Sequence, residues 1–467
     1  MAWKDMREFL QMLEDRGDLL RVTDEVDWEY EAVAHTRATS DIEGPALLFE
    51  NVRGSHLPCL SGVFAAKRRV AWALGVSEND LFDHYRARED ERIPVTMVDD
   101  APCQEIVLTG DDIDLYSLPI LRHYELDGGR YITAALQVAN DPETGIRNVS
   151  IHRMLLLGKN RLSVYAPPGR QLRTIIERHN ERGAGAEIAS VFAAEPATQI
   201  GSQARAPYGV DEFEIAGGIR GESVDLTMGH SIGVAVPATA ELVIEGRIVP
   251  GEEVMDGPFG EYPGTYSTAK PTPVLEVTAI TMRRDAMYQN TLTGMPMTEN
   301  HWMMQPAAAA MAYREAFKVA PEVKAVNVTA GGSARHHVVV SIKKRHQHDA
   351  RNTMLALLAA PLGAKQVIVV DEDIDVFDPV HVEWAVNTRV QADRDVVIIP
   401  NLYSPTLDPS APDNRATAKM GIDATIPEGD RAMFLPPKIL GETKVPFEDL
   451  LRQSDWRRPP GDFDAAP

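Results

Sequence analysis

Two separated stretches combine residue types that can move a proton. The run Arg147-Asn148-Val149-Ser150-Ile151-His152-Arg153 ends in an arginine, and Asp256-Gly257-Pro258-Phe259-Gly260-Glu261-Tyr262-Pro263-Gly264 sets two carboxylates at the ends of a Gly-Pro-Phe-Gly turn. Two carboxylates held close cannot both ionise cheaply, so one keeps a proton near neutral pH. An arginine beside them keeps the other charged. That is equipment for delivering a proton to a carbon centre. The spacing alone also allows a solvent-exposed acidic turn at Asp256–Glu261, and a surface strand end at Arg147–Arg153. On a strand, alternate residues share a face, so Asn148, Ser150 and His152 are expected on one side and Val149, Ile151 and Arg153 on the other.

Familiar motifs are absent. The chain has no GxxxxGK[ST] phosphate loop and no HExxH helix, and Gly217-Gly218-Ile219-Arg220-Gly221 lacks the strand-turn-helix context of a dinucleotide site. His336, His337, His346 and His348 lie beside Lys343, Lys344 and Arg345, which reads as a solvated strand end rather than a metal centre. Two cysteines, Cys59 and Cys103, make no disulfide framework and fit a reducing compartment as packing residues.

These side chains need several domains to hold them. A chain of 467 residues, 44% hydrophobic and 25% charged, suggests two or three soluble globular domains. A net charge of -22 argues against nucleic acid or an anionic membrane as partner. No apolar run is long enough to span a bilayer. The opening residues Met1–Glu8 show no basic start, apolar stretch and cleavage site, so a cytoplasmic address is expected.

Met6, Phe9, Leu10, Leu13 and Leu20 predict an amphipathic helix over 6–20, followed by strands near Ala46–Phe49 and Gly62–Phe64 and a helix near Arg68–Leu74. A Pro-rich acidic segment, Ile93–Ile106, marks a boundary. Short alternating runs follow, among them Ile132–Val138, Met154–Leu157, Ile232–Val236 and Leu242–Gly246, as in a β-barrel or sandwich. Thr298–Val319 reads as one long helix, with Pro306 marking a kink or a later start. Val338–Ile342 and Val367–Val370 are expected strands around a helix over Ala350–Ala359, followed by a helix at Pro379–Arg389 and a strand at Asp395–Ile399. A continuous apolar strand such as Val367–Val370 points to a buried sheet in an α/β domain.

Asn148-Val149-Ser150-Ile151-His152-Arg153, the Asp256–Glu261 turn and Lys419-Met420-Gly421-Ile422-Asp423-Ala424-Thr425 together resemble the UbiD-like decarboxylases in order and spacing. The likeness runs from the first helix to about Leu435. It implies a multi-domain α/β fold: an N-terminal α/β domain (1–105), a flavin-reductase-like split β-barrel that binds cofactor (106–297), a linker helix (298–320), a C-terminal α/β oligomerisation domain (321–450) and a polar tail (451–467). It also implies prenylated FMN, a manganese-type divalent cation bridging the flavin phosphate, and a monovalent cation such as potassium.

By the same resemblance, Arg153, Asp256 and Glu261 occupy a catalytic acid–arginine–acid network. Family members usually carry glutamate at the first acidic position, so Asp256 is a shorter variant. Asn148, Ser150, Arg153, Arg170, Ser202 and Lys419 fall at cofactor-binding positions. Asn148 and Glu212 fall at metal ligands, and Gln171 stands where a histidine is common; amide and carboxylate oxygens suit a hard cation. His301, in Thr298-Glu299-Asn300-His301-Trp302, is expected at the substrate, with helix capping as the other reading. Phe259, Met295 and Met297 are candidates for an apolar wall.

The implied activity is reversible non-oxidative decarboxylation of an aromatic, heteroaromatic or α,β-unsaturated acid. Expected partners are that acid, a flavin prenyltransferase as cofactor supplier, and further copies of the chain in a homodimer or larger homo-oligomer. A flavin mononucleotide-dependent reductase and a non-catalytic member are the competing readings; the first leaves Arg153, Asp256 and Glu261 without a task.

Overall fold

The computed structural model describes residues 3–403, 407–411, 416–427, 429, 431–434 and 436–437. The polar tail expected over 451–467 lies outside them. Contacts divide the chain into a unit of Met1–Thr425 and a second of Ile426–Pro467, and the three large sheets belong to the first.

Helix α1 (Met6–Asp15) starts where Asp5 accepts from the Glu8 amide, and it buries Met6, Phe9, Leu10 and Leu13 along one stripe. Gly17, at φ 70, turns the chain out of the helix. Leu20 therefore lies in strand β1 (Leu19–Val22), half exposed, rather than in the expected longer helix. After α2 (Glu31–Asp41), β1 pairs with β2 (Ala46–Phe49), and β2 with β3 (Cys59–Ser61); Gly62–Phe64, expected as strand, follows it as loop. Tyr288–Gln289 returns from far along the chain as the fourth strand. Helices α3 (Lys67–Ala73) and α4 (Leu81–Arg88) complete this region.

Nine strands form the central curled sheet: β4 (Ile106–Thr109), β5 (Tyr131–Ile132), β6 (Leu136–Asn140), β7 (Arg147–Ile151), β8 (Met154–Gly158), β9 (Arg161–Ser163), β10 (Glu187–Phe192), β11 (Leu242–Asp256) and β12 (Lys270–Met282). Their order is β5-β8-β9-β12-β11-β10-β6-β7, with β4 added on β12. The run Ile132–Val138, expected as one strand, is broken because the chain changes partners, from β8 at Ile132 to β7 and β10 from Leu136. Of the expected Ile232–Val236 run only its end is strand, within Ala235–Pro237. Helices α5 (Gln171–Glu181), α6 (Pro196–Gly201) and α7 (Glu212–Arg220) lie in the crossovers.

Helix α8 (Glu299–Phe317) contains Pro306 and follows a capping box between Thr298 and His301. Its alanines serve two cores: Ala307 and Ala310 pack with Phe64 and Val70, while Ala308, Ala309 and Ala312 pack with Val338 and Leu357. The last sheet has the order β13 (Val323–Val328), β14 (His337–Ile342), β15 (Gln366–Asp371), β17 (Ala416–Ala424) and β16 (Val396–Tyr403), flanked by α9 (Asp349–Ala359) and α10 (Pro379–Arg389). In β15, Val367 and Val369 enter one core and Ile368 and Val370 another, so the strand is buried on both faces as its unbroken apolar run requires. The fold class is thus the multi-domain α/β arrangement around a curled central sheet. No helix of the described residues is long and apolar enough to cross a membrane.

Candidate active site

A cavity of about 490 Å³ is lined by side chains from β7, from the segments preceding α5 and following α6, from the turn after β11, and from the start of α8. Strand β7 ends at Ile151, and His152 and Arg153 follow in extended connection before β8. Strict alternation therefore stops there. Arg153 lies on the cavity wall, which takes in Asn148, Ser150 and His152 as well as Val149 and Ile151.

Arg153 donates through Nε and Nη2 to Oδ1 of Asp256, at 3.1 and 3.0 Å, and through Nη1 to Oε1 of Glu261. Tyr165, Phe259 and Tyr131 surround the guanidinium at 3.9, 5.0 and 5.9 Å from their ring centres. The two acids differ in their surroundings. Asp256, at the end of β11, is 0% exposed; Tyr131 also donates to its Oδ1 and Ser163 to its Oδ2. A carboxylate fixed by this many donors stays put. Glu261 lines the cavity, and its second oxygen makes no hydrogen bond among the described residues. One acid is a fixed charge and the other is available.

Glu212 opens α7 behind an Asp211 cap, whose other oxygen meets Arg147 at 2.5 Å. Its buried carboxylate accepts from the Asn148 amide at 3.0 Å and from the Val149 backbone at 2.7 Å. Burial first, and then the Asp211 charge, push Glu212 up to about 8 against those donors. Gln171 opens α5 after Gly169, which is at φ 83; it donates to the Ala206 carbonyl and lines the cavity. A desolvated carboxylate beside the Asn148 amide, on a wall that also carries Gln171 and with no cation paired to it among the described residues, fits a hard, oxygen-seeking divalent ion. Among the described residues no group of three or more His, Cys, Asp and Glu side chains is placed for a metal, so the amides are needed to complete this set. Ser150 and Ser202 also line the cavity, Ser202 donating to Gln199. Arg170, beside Gln171, opens onto it at the first turn of α5, where free backbone N–H groups favour an anion.

Two expected residues lie elsewhere. Lys419, in β17, is buried and donates to the Leu358 carbonyl at 2.7 Å; it is not on the cavity wall. His301 is buried one layer behind the wall. Its Nδ1 accepts from the Thr298 amide and its Nε2 donates to the Tyr262 carbonyl at 2.7 Å, so both nitrogens serve the helix start and the chain after Glu261. Phe259 is on the wall, whereas Met304 and Met311 of α8 line it where Met295 and Met297 were expected. The sequence did not mark Tyr131, Ser163, Tyr165, Arg205 or Arg335, which carry no motif. His336 is not at a solvated end: it stacks on Tyr262 at 5.8 Å and accepts from its hydroxyl at 3.2 Å.

Three family models cover most of the chain: the 3-octaprenyl-4-hydroxybenzoate carboxy-lyase N-terminal domain over residues 10–89, its Rift-related domain over 86–296 and its C-terminal domain over 301–424. The anhydromevalonate phosphate decarboxylase of Methanothermobacter thermautotrophicus is 36% identical over 433 residues, covering 92% of this chain and 98% of the relative. The enzyme of the same name from Methanosarcina mazei is 35% identical over 90% of this chain and 95% of its own. Among solved structures, the UbiD-class enzyme HmfF from Pelotomaculum thermopropionicum, in complex with FMN, superposes with a TM-score of 0.89 at 39% identity, covering 95% of this chain and 99% of that one. An evolved dimeric form of HmfF in complex with prFMN gives 0.87 at 38%, covering 96% and 100%. Vanillic acid decarboxylase from Sedimentibacter hydroxybenzoicus gives 0.85 at 32%, covering 97% and 99%. With its N-terminal, central and C-terminal segments all matched, the chain belongs to the UbiD family of carboxy-lyases.

Proposed function

We propose that this protein catalyses the reversible, non-oxidative decarboxylation of an aromatic, heteroaromatic or α,β-unsaturated acid, using prenylated FMN and a manganese-type divalent cation. The observation that carries the reading is Arg153 held between a locked Asp256 and a Glu261 that opens onto the cavity. Loss of carbon dioxide from an sp² carbon leaves an electron pair that no side chain here can accept, and the prenylated flavin, when bound, supplies that electron sink. Asn148, Gln171 and Glu212 would hold the divalent cation; Ser150, Ser202 and Arg170 would hold the phosphate.

Arg153 orients the reacting carboxylate. A substrate carboxylate that takes Nη1 from Glu261 does two things to that acid: it removes the opposite charge and brings a like one near. Both favour the protonated form, so substrate binding arms Glu261 as the acid. Glu261 then delivers its proton to the carbon that has lost carbon dioxide, and Asp256 keeps Arg153 in place throughout. Curated relatives named for anhydromevalonate phosphate, and a structural relative named for vanillic acid, support a choice among unsaturated and aromatic acids.

The test is Glu261→Gln, produced alongside a flavin prenyltransferase. Removing a positioned acid costs about 10²–10⁴-fold in rate. Normal flavin content, near-total loss of carbon dioxide release and loss of deuterium exchange into the product are expected. A variant that decarboxylates at close to the parent rate with flavin bound would place the proton donor elsewhere.

A further inference from the structure

Three guanidiniums on the cavity wall have no acid paired with them among the described residues. Arg170 precedes α5, Arg205 follows α6, and Arg335 sits in the β13–β14 turn just past Ser333 and Ala334, both in the left-handed region at φ 54 and 51. Among the described residues none of the three forms an ion pair. Arg205 donates to the Pro361 carbonyl at 3.2 Å. Arg335 lies 5.5 Å over the Tyr262 ring, and its buried Nε has no hydrogen-bond partner. The three repel one another: burial first, then Arg335 and Arg170, lower Arg205 to about 9, and burial followed by Arg335 lowers Arg170. Unpaired like charges at partial burial are costly and wait for an anion.

Charge matching identifies which of them remain unmatched. Arg153 is set against Asp256 and Glu261, and Arg170, at the free N–H groups that open α5, is assigned to the cofactor's phosphate. Arg205 and Arg335 are left. The carboxylate that departs is held by Arg153, so neither has a counter-charge among the described residues.

We propose that Arg205 and Arg335 form a subsite for a second anionic group on the substrate, a carboxylate or a phosphate monoester remote from the carboxylate that leaves. The proposal rests on the decarboxylase reading above. Planar guanidiniums from two separate loops suit bidentate capture of either group. Tyr262, beneath Arg335 and next to Glu261 in the chain, places the subsite on the proton-donor side.

Flavin-loaded parent, Arg335→Met, Arg205→Met and Arg335→Lys are titrated with paired acids: cinnamate against 4-carboxycinnamate, and crotonate against 4-phosphooxycrotonate. Binding is read by calorimetry and reaction by carbon dioxide release. The doubly acidic member of at least one pair is expected to bind the parent about 10- to 100-fold more tightly, as charge-assisted hydrogen bonds allow. Each methionine variant is expected to lose most of that preference, Arg335→Lys less, with flavin content and melting temperature kept. The pair that shows the preference says whether carboxylate or phosphate is the group. Equal affinity within both pairs overturns the subsite, and so does loss of flavin in the methionine variants, which would assign these arginines to the cofactor's phosphate. If no acid releases carbon dioxide while the preference persists and vanishes in Arg335→Met, the subsite stands and the decarboxylase reading fails.

Discussion

Replacing Asp256 with asparagine tests the division of labour between the two acids. Every group around Asp256 is a donor, so an amide NH₂ there must face Arg153, Tyr131 or Ser163. Arg153, deprived of its buried partner, is left to Glu261 and holds it ionised, the opposite of what protonating carbon requires. We expect Asp256→Asn to keep its flavin, to lose about 10–10²-fold in kcat, less than Glu261→Gln, and to unfold more easily by about 3–5 kcal/mol, the usual cost of breaking a buried pair. Thermal melting and single-turnover rates check both, and an unchanged rate would show that the fixed charge is dispensable. The pairing itself is legible in the sequence, because two acids flanking a Gly-Pro turn can converge on one arginine. Which acid is locked is not, since that depends on Ser163 and Tyr131, each brought in from another strand. Arg205 and Arg335 are illegible for the same reason: loops far apart in sequence place them side by side.

The start of α8 joins a capping element to the site. His301 closes the capping box and holds the Tyr262 carbonyl, and Tyr262 in turn supports His336 and Arg335. His301→Ala should cost about 1–2 kcal/mol through the cap. It should also change relative rates across a panel of acids more than it changes flavin loading, because it frees the segment after Glu261. Rates that keep the parent's ranking, with only a lower melting temperature, would restrict His301 to the cap. Elements with strong periodicity are well marked in the sequence, as α1, β15 and α10 show. Their ends are less so. Gly17 stops α1 before Leu20, and the exchange of partner strands cuts Ile132–Val138, a tertiary event that local pattern does not record.

Histidines folded in as neutral rings make one contribution to acid stability at the scale of the whole molecule. Burial depresses His123, and likewise His301, to about 4 from the ordinary 6.5. Between those values the unfolded chain binds protons that the native one refuses, so their contribution is full above pH 6.5, declines as pH falls and is gone below about 4. Each depression corresponds to about 3 kcal/mol at full extent. Buried carboxylates raised in the fold, Glu212 to about 8 and Glu299 to about 6, act in the opposite sense, so the histidine-borne dependence is isolated by urea unfolding of parent and variant at pH 7.5 and at pH 5. His123→Gln should flatten that dependence, and an unaltered pH profile would contradict the assignment.

Glu299 has a further consequence for how the chain is made. Its carboxylate accepts from the backbone of Gly62, Phe64 and Leu292, and the first sheet takes its fourth strand from Tyr288–Gln289. A ribosome delivers the opening segment first, yet the partners that finish it arrive only after the whole curled sheet has been synthesised. The first sheet therefore waits, incomplete, through most of translation, and the nascent chain exposes an unpaired β3 edge and the apolar seat of α8 until residue 299 and the helix behind it have left the exit tunnel.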